Sequence, residues 1–432
     1  MELSRIAELA KQDAGRKFHS IAHFLSKEAL WEAFDGLRKN AAVGVDGVTY
    51  AQYEGNLIGN LCKLHDKLTS NTYRAQMLRR IYVNKEDGSK RPISIPSLED
   101  KIVQKATVTL LNAIFEQDFM DCSYGFRPGR GAHNALDQVG RIVCGKSTEY
   151  VLELDICAYF DSIVRSQLME MIESRISDTS ILRLIGKWIN IGVVDDGRIL
   201  MSETGTGQGQ IISPLLANLY LHHVLDKWFK EEVKPRLKGY AYEIRYADDA
   251  ILCFECHEDA MRVLEVLPKR FAKYGLKLHP DKTRLVEFGW RAHAKAMWMK
   301  TKVATFDFLG FTHRAATSRK GKFTVQVGTM KKRLRRGILA VTDWCRNHLH
   351  APLEYQQRML NAKLRGHYQY YGRPTNYRRL DRFYLAVRRI WRIWLARRTR
   401  GRNLPWARYL KMLERYPLLR PRITHAWSTW LN

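Results

Sequence analysis

The sequence has no run of 18 apolar residues anywhere along its 432 positions, so no segment qualifies as a membrane-spanning helix. Its first residues, MELSRIAELAKQDAGRK, lack the uninterrupted apolar core of a secretion signal. Cysteine is scarce: seven residues, at 62, 122, 144, 157, 253, 256 and 345, without the spacing of a disulfide framework. Cys253 and Cys256 form a single C-x-x-C with no second pair nearby, whereas a structural zinc site takes four ligands. Secretion, membrane insertion and a zinc site are therefore not expected; a cytoplasmic protein is.

Negative charge is also in deficit. Lys and Arg number 72 against 44 Asp and Glu, for a net charge of +28. A surplus of that size calls for an anionic partner or heavy solvation, and nucleic acid is the commonest answer. From Lys331 onward, 25 Lys or Arg face only 4 Asp or Glu, and the same quarter holds six of the eleven Trp. Tyr370, Tyr371, Tyr377 and Tyr384 lie among its basic residues. Disordered tails are poor in aromatics, so this quarter reads as a folded nucleic-acid-binding module rather than a solvated tail. With 45% apolar residues the chain can bury substantial cores, and its length suggests two to four packed units.

The pattern along the chain is α+β, then helical. Residues 1 to about 40 carry apolar positions at helical spacing, among them Ile21, Phe24, Leu25, Leu30 and Phe34. Val43 to Thr49 is a turn-rich connector. Leu78–Val83 and Ile93–Ile95 read as strands of a hairpin around Asn84–Lys90. Ser97 with Asp100 caps a predicted helix with the stripe Ile102, Val103, Ala106, Leu110, Ala113, Ile114. Tyr150–Ile156 reads as a strand, and a helix is expected from Leu215 to Phe229. From about 330 the pattern is helical, basic and aromatic.

Two acidic features stand out. Strand alternation in YVLELD places Val151, Glu153 and Asp155 on one face, so an acid closes an otherwise apolar strand. Arg245-Tyr-Ala-Asp-Asp-Ala250 sets two adjacent carboxylates between the apolar runs Ile244–Tyr246 and Ala250–Phe254, as at a hairpin tip. Neighbouring like charges repel unless a cation screens them. Each feature also has a plainer reading, as a helix cap or an exposed acidic turn. Phosphoryl transfer unites them: two Mg²⁺ ions roughly 3.5–4 Å apart activate a 3′-hydroxyl and stabilise the leaving pyrophosphate. Such ions take hard oxygen ligands.

RYADDAILCF, preceded by LELDICAYFDSI and TGQGQIISPLLANLYL, closely resembles the reverse transcriptases of bacterial group II introns and their free-standing relatives. The resemblance runs in order along nearly the whole chain. It includes GVDGVT (44–49), RRIYVNKEDGSKRPISIPSLEDKIVQ (79–104), SYGFRPGRGAHNAL (123–136), GLKLHPDKTRLVEFG (275–289), FDFLGF (306–311) and LRGHYQYYG (364–372).

The resemblance implies a right-hand polymerase: an N-terminal extension and the start of the fingers (1–75), fingers (76–150), and a palm with an antiparallel sheet (151–322). Residues around 165–215 would lie on the fingers side, and 323–432 would form a helical thumb or maturase domain. Asp155, Asp248 and Asp249 match the catalytic metal-binding aspartates, and Ile156 joins both the metal and nucleotide sets. Lys85 and Arg91 match positions that hold the triphosphate, a task suited to cations. Tyr159 matches the aromatic wall under the incoming sugar, with Phe160 the alternative if the register slips by one; core packing is the plainer role for either. Gln208 matches a glutamine near the nucleotide, and Lys282 a basic palm position. Arg127, Arg130, Lys331, Lys332, Arg335, Arg336 and Arg365 are the candidates for nucleic-acid contact. Cys157 stands where relatives carry a basic residue, and Gln210 where they carry glycine.

The expected activity is RNA-directed DNA polymerisation with two Mg²⁺ (or Mn²⁺), an RNA template, a DNA primer or template, and dNTPs, by a monomer or homodimer. The setting is a bacterial cytoplasm. The role is that of an intron maturase bound to group II intron RNA, or of a free-standing enzyme in DNA repair or phage defence. Many relatives append an endonuclease; the sequence ends at Asn432 without one, so DNA cleavage is not expected. The competing reading is an RNA-binding splicing cofactor without significant polymerase activity. Three intact clustered acids argue against it.

Overall fold

Strong local signals set most elements. The computed structural model describes residues 3–84, 90–145, 147–318, 320–398 and 404–426. Its strands are β1 (Leu78–Asn84), β2 (Lys90–Ile95), β3 (Tyr150–Leu154), β4 (Val193–Asp195), β5 (Arg198–Leu200), β6 (Ala241–Tyr246), β7 (Asp249–Phe254), β8 (Arg284–Glu287), β9 (Thr305–Phe308), β10 (Phe311–Thr317) and β11 (Phe323–Thr329). They form three sheets, in the orders β2-β1-β4-β5, β6-β7-β3-β8 and β11-β10-β9. The chain divides into two compact units. One comprises Met1–Ala135, Leu154–Leu252 and Glu258–Arg284; the other comprises Leu136–Glu153, Cys253–His257 and Leu285–Asn432.

In the first unit the N-terminal helical pattern is broken into two helices, Leu3–Gln12 and Lys27–Asp35. Asp13 Oδ1 accepts from the Gly15 amide and turns the chain, and Ser26 caps the second helix by accepting from Ala29 N. These short polar side chains offer the backbone an alternative to helix, as expected of Asp and Ser. β1 and β2 pair antiparallel, from Arg79 opposite Ile95 to Asn84 opposite Lys90. β4 joins β1 in parallel, bringing residues from the 165–215 stretch into the same sheet. Ser97 caps the helix Leu98–Phe115, accepting from Asp100 N at 3.2 Å and donating to Asp100 Oδ2 at 2.7 Å. The helix Ser213–Leu221 runs on through π-helical turns at His222–Asp226 and Phe229–Val233.

In the second unit the turn between β9 and β10 is Leu309-Gly310, both with positive φ (48° and 77°). A two-residue hairpin loop that matches strand twist requires that conformation. β11 pairs along all of β10, from Phe311 opposite Thr329 to Thr317 opposite Phe323. The helical region therefore begins at Lys331, and residues 323–329 belong to a sheet. The helices Lys331–Asn347, Leu353–Tyr371, Tyr377–Arg398 and Trp406–Arg415 pack around Leu334, Leu360, Leu364, Phe383 and Trp391. Trp391 is fully buried, and its indole N–H donates to Gln356 Oε1 at 2.8 Å. Trp406 lies beneath the guanidinium groups of Arg388 and Arg392, 5.3 and 4.4 Å from the ring centre. Most aromatic residues of this basic quarter are thus engaged with its core. No helix among the described residues is long and apolar enough to cross a membrane.

Candidate active site

The site is built at the turn joining β6 to β7. Ala247 adopts a positive φ of 55°, unusual for a residue with a side chain, and this conformation sets the direction of Asp248 and Asp249. Close packing holds it there. A Cβ at Gly125 would lie 2.3 Å from Ala247 N, so only glycine fits in the Tyr124-Gly-Phe loop. Arg245 supplies the second restraint. Completely buried, it binds both carboxylate oxygens of Asp226 at 2.6 Å, and its Nη1 donates to Asn218 Oδ1 at 3.1 Å and to the Ala247 carbonyl at 3.0 Å. Asn218 in turn donates to the Gly125 carbonyl. A planar fork of donors can hold a carboxylate and two carbonyl-type oxygens at once; an ammonium cannot.

Asp155 follows directly on β3. Its carbonyl accepts from His279 N at 2.8 Å, and Cys157 N donates to the Lys277 carbonyl at 2.8 Å, with Ile156 bridged to Leu278 between them. This pairing brings Lys282 to Asp155, with Nζ 2.8 Å from Oδ2. The hydrogen bond to Asp155 raises the Lys282 pKa. Asp248 is affected differently. Burial raises its pKa above the ordinary carboxylate value and the charge of Asp155 adds to the rise, while its own backbone N–H, Arg91 and Arg245 oppose it. Two carboxylates, Asp248 feeling the charge of Asp155 and Asp155 paired with an ammonium, form a hard-oxygen donor set that fits a divalent cation. Asp249 is exposed at the start of β7.

Among the described residues, the group of three metal-capable side chains whose donor atoms lie within 4.8 Å of one another is Cys122, Asp226 and Glu243, not the three aspartates. The Arg245 guanidinium already neutralises Asp226 there, and burial, with the charge of Asp226 adding to it, pushes the Glu243 pKa well above its ordinary value. This buried network lies beneath the turn. Its members are far apart in sequence, and the only local hint is a charge (Asp226) inside the apolar run LYLHHVLD.

The glycine-rich loop before Ser213 is threaded past both β2 and the Tyr159 turn. Ser94 N donates to the Gln208 carbonyl at 2.7 Å, and a Cβ at Gly209 would lie 2.6 Å from Ser94 O. Gln210, the departure from glycine, is buried. It accepts from Gln104 Nε2 at 2.8 Å and donates to the Trp188 carbonyl at 3.0 Å, so its amide holds the loop that carries Gln208. Sequence reasoning missed Gln104 as its partner.

The reverse transcriptase (RNA-dependent DNA polymerase) family matches residues 83–313, a stretch that contains every element of this site except the start of β1 and the N-terminal connector. The chain belongs to the reverse transcriptase family. It is thus an RNA-directed DNA polymerase, of a family that works on template, primer and dNTPs and generally uses divalent metals. It is similar to protein YkfC of Escherichia coli K12, at 34% identity over 278 residues, covering 56% of this chain and 71% of YkfC. The group II intron-encoded protein LtrA of Lactococcus lactis subsp. cremoris matches at 30% over 280 residues, covering 62% of this chain and 46% of LtrA. An uncharacterised 91 kDa protein in the cob intron of Schizosaccharomyces pombe matches at 36% over 200 residues, covering 46% of this chain and 24% of that protein.

Several expected site residues of this reverse transcriptase take positions that sequence alone did not foresee. Tyr159 is buried, its hydroxyl donating to the Ala217 carbonyl, whereas Phe160 is only half-buried. Tyr159 is the first candidate for the aromatic wall and Phe160 the second; of the two, Phe160 is the more accessible. Arg127 is likewise buried: it binds Glu116 at 2.7 Å and donates to the carbonyls of Met120 and Ser123. Its donors close the 116–127 loop, so this candidate for nucleic-acid contact is engaged within the protein. Arg130 is half-buried, with Nη2 2.7 Å from Asp121. Lys331, Lys332, Arg335 and Arg336 are exposed at the start of the helix Lys331–Asn347, and Arg365 is exposed on Leu353–Tyr371. Arg91 is exposed on β2; Lys85 lies outside the described residues.

Proposed function

We propose that the chain extends a primer 3′-hydroxyl with dNTPs, copying RNA and also accepting DNA, with Asp155, Asp248 and Asp249 holding two Mg²⁺ ions, or Mn²⁺ in their place. One observation carries this reading: the tight turn presents Asp248 and Asp249, and Asp248 feels the charge of Asp155, which is itself neutralised by Lys282. When bound, the ions activate the hydroxyl and stabilise the leaving pyrophosphate. The carbonyl of Ile156, between the two pairing points of Asp155 and Cys157, is the backbone oxygen of that set. Arg91, beside Asp248 in charge terms, and Lys85 orient the triphosphate. Gln208 borders the nucleotide. Phe160, with its partly exposed ring, faces the sugar and excludes a 2′-hydroxyl.

In this reading β1, β2, β4 and β5 belong to the fingers, β3 and β6–β8 to the palm, and the helices from Lys331 to the thumb. Lys331, Lys332, Arg335, Arg336 and Arg365 contact template–primer phosphates. The intron origin stated in the LtrA name supports a role as an intron-associated enzyme that also binds group II intron RNA. Primer extension on RNA and DNA templates with Mg²⁺ tests the polymerase reading. Asp248→Ala is expected to lose activity by about a thousandfold or more, the scale of several kcal/mol of charge stabilisation. Unchanged extension in that variant would remove the metal assignment.

A further inference from the structure

Among the described residues, the helix Trp290–Trp298 in the second unit carries a face with no packing partner. Trp290 is 60% exposed and Trp298 84%, with Met297 and Met299 also exposed. Each residue of a helix advances 100°, so Trp290, Ala294, Met297 and Trp298 share one side, with Arg291 and Lys295 along its border. His293 and Ala296 point the other way and are buried. The two indoles stand about 12 Å apart along the axis, at 1.5 Å per residue. Lys300 and Lys302 continue the exposed surface just past the helix. Four cations, Arg291, Lys295, Lys300 and Lys302, thus face two nearby acids, Glu287 and Glu149, the latter 3.9 Å from Arg291.

Large exposed aromatics on a soluble surface mark a binding site more often than chance. The charge decides what kind. A second copy of the same face would set four cations against four. An anionic polymer with flat faces suits both features: indoles stack on unpaired bases whatever their identity, and the cations track the backbone. We propose that the Trp290–Trp298 face binds single-stranded nucleic acid, RNA or DNA, separately from the polymerase centre. The proposal rests on the reverse transcriptase reading only in that such an enzyme handles unpaired template; it does not require Asp155, Asp248 or Asp249.

The test uses the full chain without dNTPs or metal. A 20-nucleotide oligo(U) bearing 5-iodouridine is photo-crosslinked at saturation, and the adducts are mapped by mass spectrometry. Adducts on Trp290 or Trp298 are expected, persisting in Asp248→Ala, which separates failure of this site from failure of the polymerase assignment. In Trp290→Ala/Trp298→Ala, whose changes lie on the surface, those adducts should vanish while primer extension on a short, fully paired template–primer is retained. Lys295→Gln/Lys300→Gln should lower the slope of log affinity against log salt at this site by about 1.4, at about 0.7 per phosphate neutralised on a single strand. Adducts confined to other peptides at saturation would overturn the proposal. So would displacement of the oligo(U) adducts by poly-glutamate at equal charge concentration, which would point to an acidic protein.

Discussion

Arg245 and Phe160 act through different atoms, and each can be tested singly. Arg245 anchors the Ala247 carbonyl and so fixes where Asp248 points. Arg245→Lys keeps a charge beside Asp226 but lacks the fork that also reaches Asn218 and Ala247. We expect extension to fall about tenfold or more with little change in Tm, the effect appearing in kcat rather than in dNTP KM. Wild-type kcat in that variant would remove the positioning role. Arg245→Met differs, since it strands a buried carboxylate at a cost of about 3–5 kcal/mol. At Phe160, replacement by Ala should raise ribonucleotide incorporation about tenfold or more, as removal of a steric wall does. Tyr159→Phe should leave that ratio unchanged and cost about 1 kcal/mol of stability, the value of one buried hydrogen bond. Incorporation assays with paired dNTP and rNTP distinguish the two. The sequence put Tyr159 ahead of Phe160; which ring is buried depended on Ala217, 58 residues away.

At the level of elements, local chemistry was legible and its partners were not. The Ser97–Asp100 cap, the β1–β2 hairpin and the strands flanking Asp248 follow from short-range patterns. The expected N-terminal helix divided in two because Asp13 and Ser26 bond to nearby amides. The helical region begins at Lys331, where the pattern from about 330 puts it, and Phe323–Thr329 before it pairs with β10. The helix Lys331–Asn347 presents Lys331 and Lys332 on an exposed end while Leu334, Val341 and Cys345 face the core. Lys331→Gln/Lys332→Gln should weaken duplex binding alike on all sequences and lower the salt slope by about 0.9 for each phosphate that is no longer neutralised. Titrations at several salt concentrations check this, and an unchanged slope would place those lysines off the duplex.

At the scale of the whole molecule, buried histidines make stability depend on pH. His313 stacks flat on Phe306 at 4.6 Å, and burial lowers its pKa to about 3; burial lowers that of His367 to about 4. The unfolded chain takes up these protons near the ordinary value of about 6.5, well before the folded chain does. Stability therefore falls as pH drops from about 6.5 toward 4, by up to about 1.4 kcal/mol per pH unit for each such group. Denaturant unfolding from pH 7 to 4.5 should show a shallower fall in His313→Phe than in the unaltered chain. Identical profiles would mean that His313 becomes charged while folded.

Sequence alone determined the chemistry of this protein. Its ordered motifs, its three aspartates and its basic, aromatic last quarter identified a reverse transcriptase, because those signals are carried by residue type and by spacing along the chain. Tertiary structure decided which side chains remain available. Arg127 closes a loop, Tyr159 enters the core, Gln210 braces the loop of Gln208, and Arg245 is drawn onto Asp226 beside the Ala247 turn. Burial and pairing depend on partners tens to hundreds of positions away, and no local pattern encodes where those partners arrive.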